Sequence, residues 1–157
     1  MPQDTASSDL SPGQVIARGA ARHLATLDFA CVEEFVPVRG VRLDLLALGP
    51  KGDLWVVECK SSRADFVSDR KWHRYPEWGD RFFWAVGADF PLDLLPAETG
   101  VIVADGYGGE MLRMAPETRL AASRRAAVTR RFAMHAARRL QALRDPGARL
   151  ALDSAPR

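Results

Sequence analysis

Two stretches of this chain, Val41–Leu48 and Leu54–Lys60, are apolar at odd and even positions alike. That pattern predicts strands covered on both faces rather than strands with one wet side. Between them, Pro50-Lys51-Gly52 fits a three-residue hairpin loop, with proline pre-set for a type I turn and glycine for the left-handed position. Upstream, Ser11-Pro12-Gly13-Gln14 reads as a capping box opening a helix. Its apolar face would be Ile16, Gly19, Ala20, His23, Leu24 and Leu27. Phe29 to Val38 then predicts a first strand. After Ser62 the period turns helical, with Asp65 and Asp69 at i and i+4, Trp72 at i+7, and Phe66 and Val67 inward. Asp80 to Val86 is again strand-like, and Leu92 to Leu95 predicts a short helical turn closed by Pro96. Val101–Ala104 and Met111–Met114 read as strands joined by a glycine-rich turn, Asp105 to Gly109. A long helix is expected from Glu117 to about Leu143, its stripe made by Val128, Phe132, Ala136, Leu140 and Leu143, ended by Asp145-Pro146-Gly147. Helix, three strands, helix, strand, hairpin and helix predict an α/β fold with a mixed central sheet flanked by helices. A single domain over residues 11–144 follows, with tails at 1–10 and 145–157.

Composition changes this picture little. The chain is 47% hydrophobic and 27% charged, as an ordinary globular domain is. No apolar run approaches the roughly 20 residues that span a bilayer, and the polar N-terminus does not resemble a secretory signal, so a cytoplasmic location without membrane contact is expected. Cys31 and Cys59 both fall in strands, consistent with buried thiols in a reducing compartment more than with a disulfide. Three dispersed histidines give no zinc spacing, and the turn at Asp105 lacks the lysine-serine of a phosphate-binding loop. His23 on an apolar stripe reads as a core histidine before a catalytic base.

Charge placement is more telling than its +2 net value. Residues 1–116 hold 12 basic and 17 acidic side chains, whereas residues 117–157 hold 10 arginines and 3 acids. Such asymmetry points to polyanion binding, or to a solvated helix whose arginine stems cover apolar surface. Arg124, Arg131 and Arg138, seven apart, would share one face and could meet phosphates.

Candidate chemistry lies in the hairpin. The predicted loop pairs Gly49 with Asp53, and that register carries Asp44 opposite Glu58, with Cβ atoms about 4.5–5.5 Å apart. Lys60, two residues on from Glu58, shares that face, and Arg42 would sit opposite Lys60. Facing carboxylates repel and raise one another's pKa unless a cation intervenes, so the pair suits an oxygen-liking divalent ion, Mg²⁺ or Mn²⁺. The alternative is a structural ion pair of Lys60 with one carboxylate. Glu33 and Glu34 lie on the first strand, and one of them could approach the same face. Ser61, Ser62 and Arg63 follow the strand bearing Glu58, where hydroxyls and a guanidinium can meet phosphate. Lys71, Trp72 and Tyr75 combine charge with aromatic faces, a mixture suited to single-stranded or distorted DNA; the alternative is ordinary packing, which for Trp72 comes before base stacking.

An Asp followed by Glu-x-Lys on the next strand resembles the signature of the PD-(D/E)XK nuclease superfamily. The succeeding order is more specific: Ser61-Ser62-Arg63-Ala64-Asp65-Phe66, Asp69-Arg70-Lys71-Trp72, Tyr75, Asp80 to Val86, Leu95-Pro96 and Gly100 to Asp105. It resembles the MmcB family of bacterial DNA repair proteins over roughly Ser11 to Met114. The resemblance implies a restriction-endonuclease-like αβββαβ core and metal-dependent cleavage of DNA in repair. Asp44, Glu58 and Lys60 would then be catalytic, and the backbone carbonyl of Cys59 would join the two carboxylates as metal ligand. Other repair proteins become expected partners, and cutting both strands would require a homodimer or a second active site. Leu43 stands where the superfamily commonly has proline, and no acid lies between Leu10 and Leu27 to supply the further ligand that many members carry on the first helix. A second reading is therefore a nuclease-like module that binds DNA or scaffolds repair with little turnover. A third is an α/β protein unrelated to nucleic acid.

Overall fold

The computed structural model describes residues 9–147; most of the tails expected at 1–10 and 145–157 lie outside them. The elements are α1 (Pro12–Ala25), β1 (Ala30–Val38), β2 (Val41–Leu48), β3 (Leu54–Lys60), α2 (Arg63–Ser68), β4 (Arg81–Val86), β5 (Gly100–Ala104), β6 (Gly109–Arg113) and α3 (Ala122–Arg144). Single 3-10 turns at Trp72–Arg74, Pro76–Trp78 and Leu92–Leu94 fill the connections. The six strands form one mixed sheet in sequence order. β1, β2 and β3 run antiparallel, β3, β4 and β5 run parallel, and β6 returns antiparallel to β5. The αβββαβ order, added hairpin and C-terminal helix match the α/β expectation.

Each face of the sheet has its own core. On one, Ile16, Ala20 and Leu24 of α1 pack with Leu45, Val57 and Phe83. On the other, Val128 and Phe132 of α3 cover Leu46, Val56 and Trp84, helped by Phe66, Trp72 and Tyr75. Each fully buried leucine, isoleucine, valine or phenylalanine among them contributes about 1.5–3 kcal/mol. Every residue of β3 is buried, as a central strand covered on both faces requires. The capping box forms: the Gln14 N–H donates to Ser11 Oγ and the Ser11 N–H to Gln14 Oε1. Gly19 lies against the β5–β6 turn so tightly that a Cβ there would meet the Asp105 carbonyl oxygen at 1.8 Å.

Departures from the expected elements have local causes. α1 ends at Ala25, which leaves Leu27 exposed rather than on the buried stripe. α2 is a single short helix, so Val67 points outward and Trp72 falls in the following 3-10 turn. α3 starts five residues later than its periodicity suggests, because Asp80 captures the chain before it. The Thr118 N–H donates to the Asp80 carbonyl, and the Leu120 N–H to Asp80 Oδ1. Asp80 also accepts from the Leu54 N–H at 2.8 Å and from both Arg125 amino groups at 2.7 and 2.5 Å. This buried carboxylate thus pins β3, β4 and α3 together. Although burial opposes ionisation, the Arg125 and backbone donors hold its pKa down at about 2. At the far end of α3 the stripe stays open: Leu140 is 58% and Leu143 81% exposed.

Candidate active site

The hairpin loop fixes the site. Gly49 N–H donates to the Asp53 carbonyl, Gly52 N–H to the Gly49 carbonyl, and Gly52 takes φ +85°, as the turn chemistry requires. The β2–β3 ladder then runs from Leu48 with Leu54 to Leu45 with Val57. Asp44 and Glu58 are next in that register, and there side chains replace the ladder. The Asp44 N–H donates to Glu58 Oε1 at 2.9 Å, and the Cys59 N–H donates to Asp44 Oδ2 at 2.8 Å. Both carboxylates are therefore held by backbone across the strand pair. Arg42 lies beyond the end of the ladder and so has no paired position opposite Lys60, although it lines the same cleft.

That cleft encloses about 690 Å³ between the first turn of α1, the ends of β2 and β3, and the α2 segment. Asp44, Glu58, Lys60 and Tyr75 line its wall, with Ser61, Lys71 and Arg42 toward its mouth. Glu58 is 2% exposed. Desolvation, joined by the nearby Asp44 charge, pushes its pKa up to about 9, so without a cation it keeps its proton at neutral pH. Lys60 is buried and reaches Asp69 Oδ2 at 2.8 Å, with Asp65 Oδ1 at 4.0 Å. Burial pulls the ammonium pKa down, but the Asp69 hydrogen bond and the charges of Asp69, Asp65 and Glu58 outweigh it, leaving the pKa raised. Lys60 is thus paired, yet not with the carboxylates that face each other. Desolvation and the charges of Glu58, Asp69 and Asp44 push the Tyr75 hydroxyl up to about 12, so it stays a proton donor.

Of the other residues singled out in the sequence, some join the cleft and some do not. Ser61 donates from its N–H to Asp65 Oδ2, and Ser62 caps α2 by accepting from the Asp65 N–H. Arg63 is exposed on α2. The Trp72 ring stacks within the core, 6.0 Å from Phe82 and 5.3 Å from Trp84, and does not line the cleft. Arg124 lies over Trp78 and bonds Glu77, Arg131 bonds the Pro37 carbonyl, and Arg138 lines a separate furrow. None of these three arginines reaches the cleft. The Cys59 thiol faces the opposite core, and its pKa is raised well above normal by burial. Cys31 is also free, and burial and Glu33 push it to about 11.

Sequence reasoning did not assign Asp69 and Asp65 to Lys60, nor foresee the first turn of α1 as a wall of the cleft. Glu33 and Glu34 both line it, and Glu34 adopts φ +52°, a conformation uncommon outside glycine that no sequence signal marks.

The donor set suits a hard divalent cation: two carboxylates at the end of a polar cleft, one of them buried and burdened by its neighbour. Among the described residues no group of three or more His, Cys, Asp and Glu side chains is placed to hold a metal. Asp44 and Glu58 are the facing carboxylates in the cleft that could hold such an ion.

A search of curated proteins finds no match. A solved structure described as SPO1766, a protein of unknown function from Silicibacter pomeroyi, is 62% identical, with a TM-score of 0.86 over 88% of this chain and 94% of that one. The family model for the DNA repair protein MmcB-like family matches residues 3–147. That match spans nearly the whole chain, and the protein therefore belongs to the MmcB-like family of DNA repair proteins.

Proposed function

We propose that this DNA repair protein is a metal-dependent endonuclease of the restriction-endonuclease-like superfamily, hydrolysing DNA phosphodiesters in the cleft at the ends of β2 and β3. The observation that carries this reading is the convergence of Asp44, Glu58 and Lys60 on one polar cleft, with the carboxylates tied to each other's strands. Mg²⁺ or Mn²⁺ held by Asp44, Glu58 and the Cys59 carbonyl would activate a water and act as a Lewis acid toward the phosphate. Lys60, kept charged by Asp69, positions that water or stabilises charge developing on the phosphate. Arg42, Ser61 and Lys71 at the mouth meet neighbouring phosphates, with Arg63 just outside. The first turn of α1 carries no acid, which leaves its positive end open to an anion. A single cleft cuts one strand, so duplex cleavage would require a dimer or a second active site.

The test is nicking of plasmid and of flap and gapped oligonucleotides with Mg²⁺ or Mn²⁺. Asp44→Asn and Glu58→Ala each abolish cleavage while the fold persists. Cleavage surviving in both variants would remove the site. A second reading, DNA binding with little turnover, draws on the absence of a third acid placed for metal binding among the described residues. It predicts DNA binding without nicking in any metal.

A further inference from the structure

Edge strand β1 and helix α3 enclose a furrow of about 890 Å³, floored by Phe35, Val36, Met134 and His135 and closed at one end by Leu143. A smaller hollow of about 380 Å³ shares Ala127 and Arg131 with it and extends it to Val38 and Trp78. Neither shares a residue with the cleft at Asp44. Scattered exposed apolar side chains are ordinary, but here they gather along one seam. Val36 is 51%, Val38 42%, Met134 48% and Leu143 81% exposed. The rim has one sign. Arg130, Arg131, Arg138 and Arg139 border the furrow, and α3 contains seven arginines and no acid. Among the described residues Arg130, Arg138 and Arg139 form no ion pair. On the floor, His135 stands edge-on to Phe35 at 5.6 Å, and its Nε2 is buried without a hydrogen-bond partner.

From these features we infer that the β1–α3 furrow docks an acidic amphipathic helix of a partner protein. Apolar anchors at i, i+3, i+4 and i+7 would lie on Met134, Val36 and Leu143, while carboxylates on the flanks meet the arginine rim. The lining from Ala127 to Leu143 corresponds to about 24 Å of helix, room for an occupant of roughly 16 residues. A second copy of the chain fits poorly, because two arginine rims would face each other. DNA satisfies the rim but offers nothing to the apolar floor. The inference does not rest on cleavage.

The probe is a fluorescent peptide of about 16 residues with leucine at the four anchor spacings and glutamate elsewhere. A peptide of the same composition, scrambled to destroy the stripe, is the control, with duplex and single-stranded oligonucleotides alongside. Anisotropy on the full chain should show the striped peptide binding roughly ten-fold or more tighter than the scrambled one. Met134→Glu with Leu143→Glu, and separately Arg130→Gln with Arg139→Gln, should each weaken it by about ten-fold, with DNA affinity changing less than about two-fold. These positions are exposed, so both variants fold, as circular dichroism will verify. Equal affinity for the two peptides, or no binding, overturns the proposal. So does an equal loss of DNA binding in the arginine variant, which would make the furrow a phosphate surface. A wild-type dimer that the Met134→Glu, Leu143→Glu variant dissociates would assign the furrow to a second copy and overturn it too.

Discussion

Replacing Glu58 by glutamine should stabilise the metal-free protein. The Glu58 carboxyl has an ordinary pKa of 4.5 and is pushed to about 9 in the fold, by burial first and by the Asp44 charge second. A raised carboxylate pKa acts against folding. The cost is absent below pH 4.5, grows as the unfolded chain ionises while the folded one cannot, and levels off above about pH 9. At pH 7 the gap of about 2.5 pH units corresponds to roughly 3 kcal/mol, and at pH 9 to roughly 6 kcal/mol as an upper bound. Glutamine has the shape of the protonated acid and keeps a carbonyl oxygen for the Asp44 N–H, so it removes the cost without emptying the site. For a chain of this size, 3 kcal/mol raises Tm by about 6–12 °C. Urea unfolding in EDTA from pH 5 to 9 should show Glu58→Gln and wild type converging at the acid end and diverging as pH rises. Saturating Mn²⁺ should reverse the order, since only the wild type gains a ligand for the ion. A variant less stable than wild type at pH 8 in EDTA, or a difference that ignores pH, would refute the argument and restore Glu58 as a structural partner.

Other perturbations test separate links. Asp69→Ala frees the Lys60 ammonium from its 2.8 Å partner and lets it turn to Asp44 and Glu58, so Mn²⁺ affinity measured calorimetrically should fall by about ten-fold; unchanged affinity would remove Asp69 from the site. Asp80→Asn leaves Arg125 without its buried counter-charge and should cost about 2–3 kcal/mol in chemical unfolding. Because the Asp80 pKa is lowered to about 2 from 3.8, its contribution is complete above about pH 4 and is lost as pH falls through 2, so the gap between variant and wild type should narrow there. Gly19→Ala drives a methyl into the Asp105 carbonyl and should cost about 1–3 kcal/mol, read as a lower urea midpoint, despite alanine's better helix propensity.

How much of this was legible depends on the kind of constraint. Asp44 against Glu58 follows from the sequence because Pro50 and Gly52 dictate a turn, and a turn dictates register. The partner of Lys60 does not, since strand alternation fixes the face of a side chain but not where four flexible carbons carry its charge. Arg42 escaped the same extrapolation because the ladder stops at Leu45 and Val57. Trp72 shows that composition cannot separate a ring offered to a ligand from a ring packed on Phe82. The late start of α3 reflects a tertiary competitor, the Asp80 carboxylate, for amide groups that local periodicity awards to a helix. Leu140 and Leu143 continue a correct periodicity onto a face that nothing among the described residues covers. Glu34, at φ +52°, carries no mark in the sequence at all.

The substitution of side chains for ladder bonds at Asp44 and Cys59 has a consequence of its own. Where backbone pairs with backbone in the sheet, an amide proton is guarded by a carbonyl whose basicity never changes. At these two positions it is guarded by a carboxylate that can take up a proton or share its lone pairs with an arriving cation. The seam between β2 and β3 is therefore chemically addressable: whatever alters the charge of the two acids alters the grip on two neighbouring backbone groups. Their hydrogen-exchange rates form a built-in gauge of the site, readable without substrate, label or turnover.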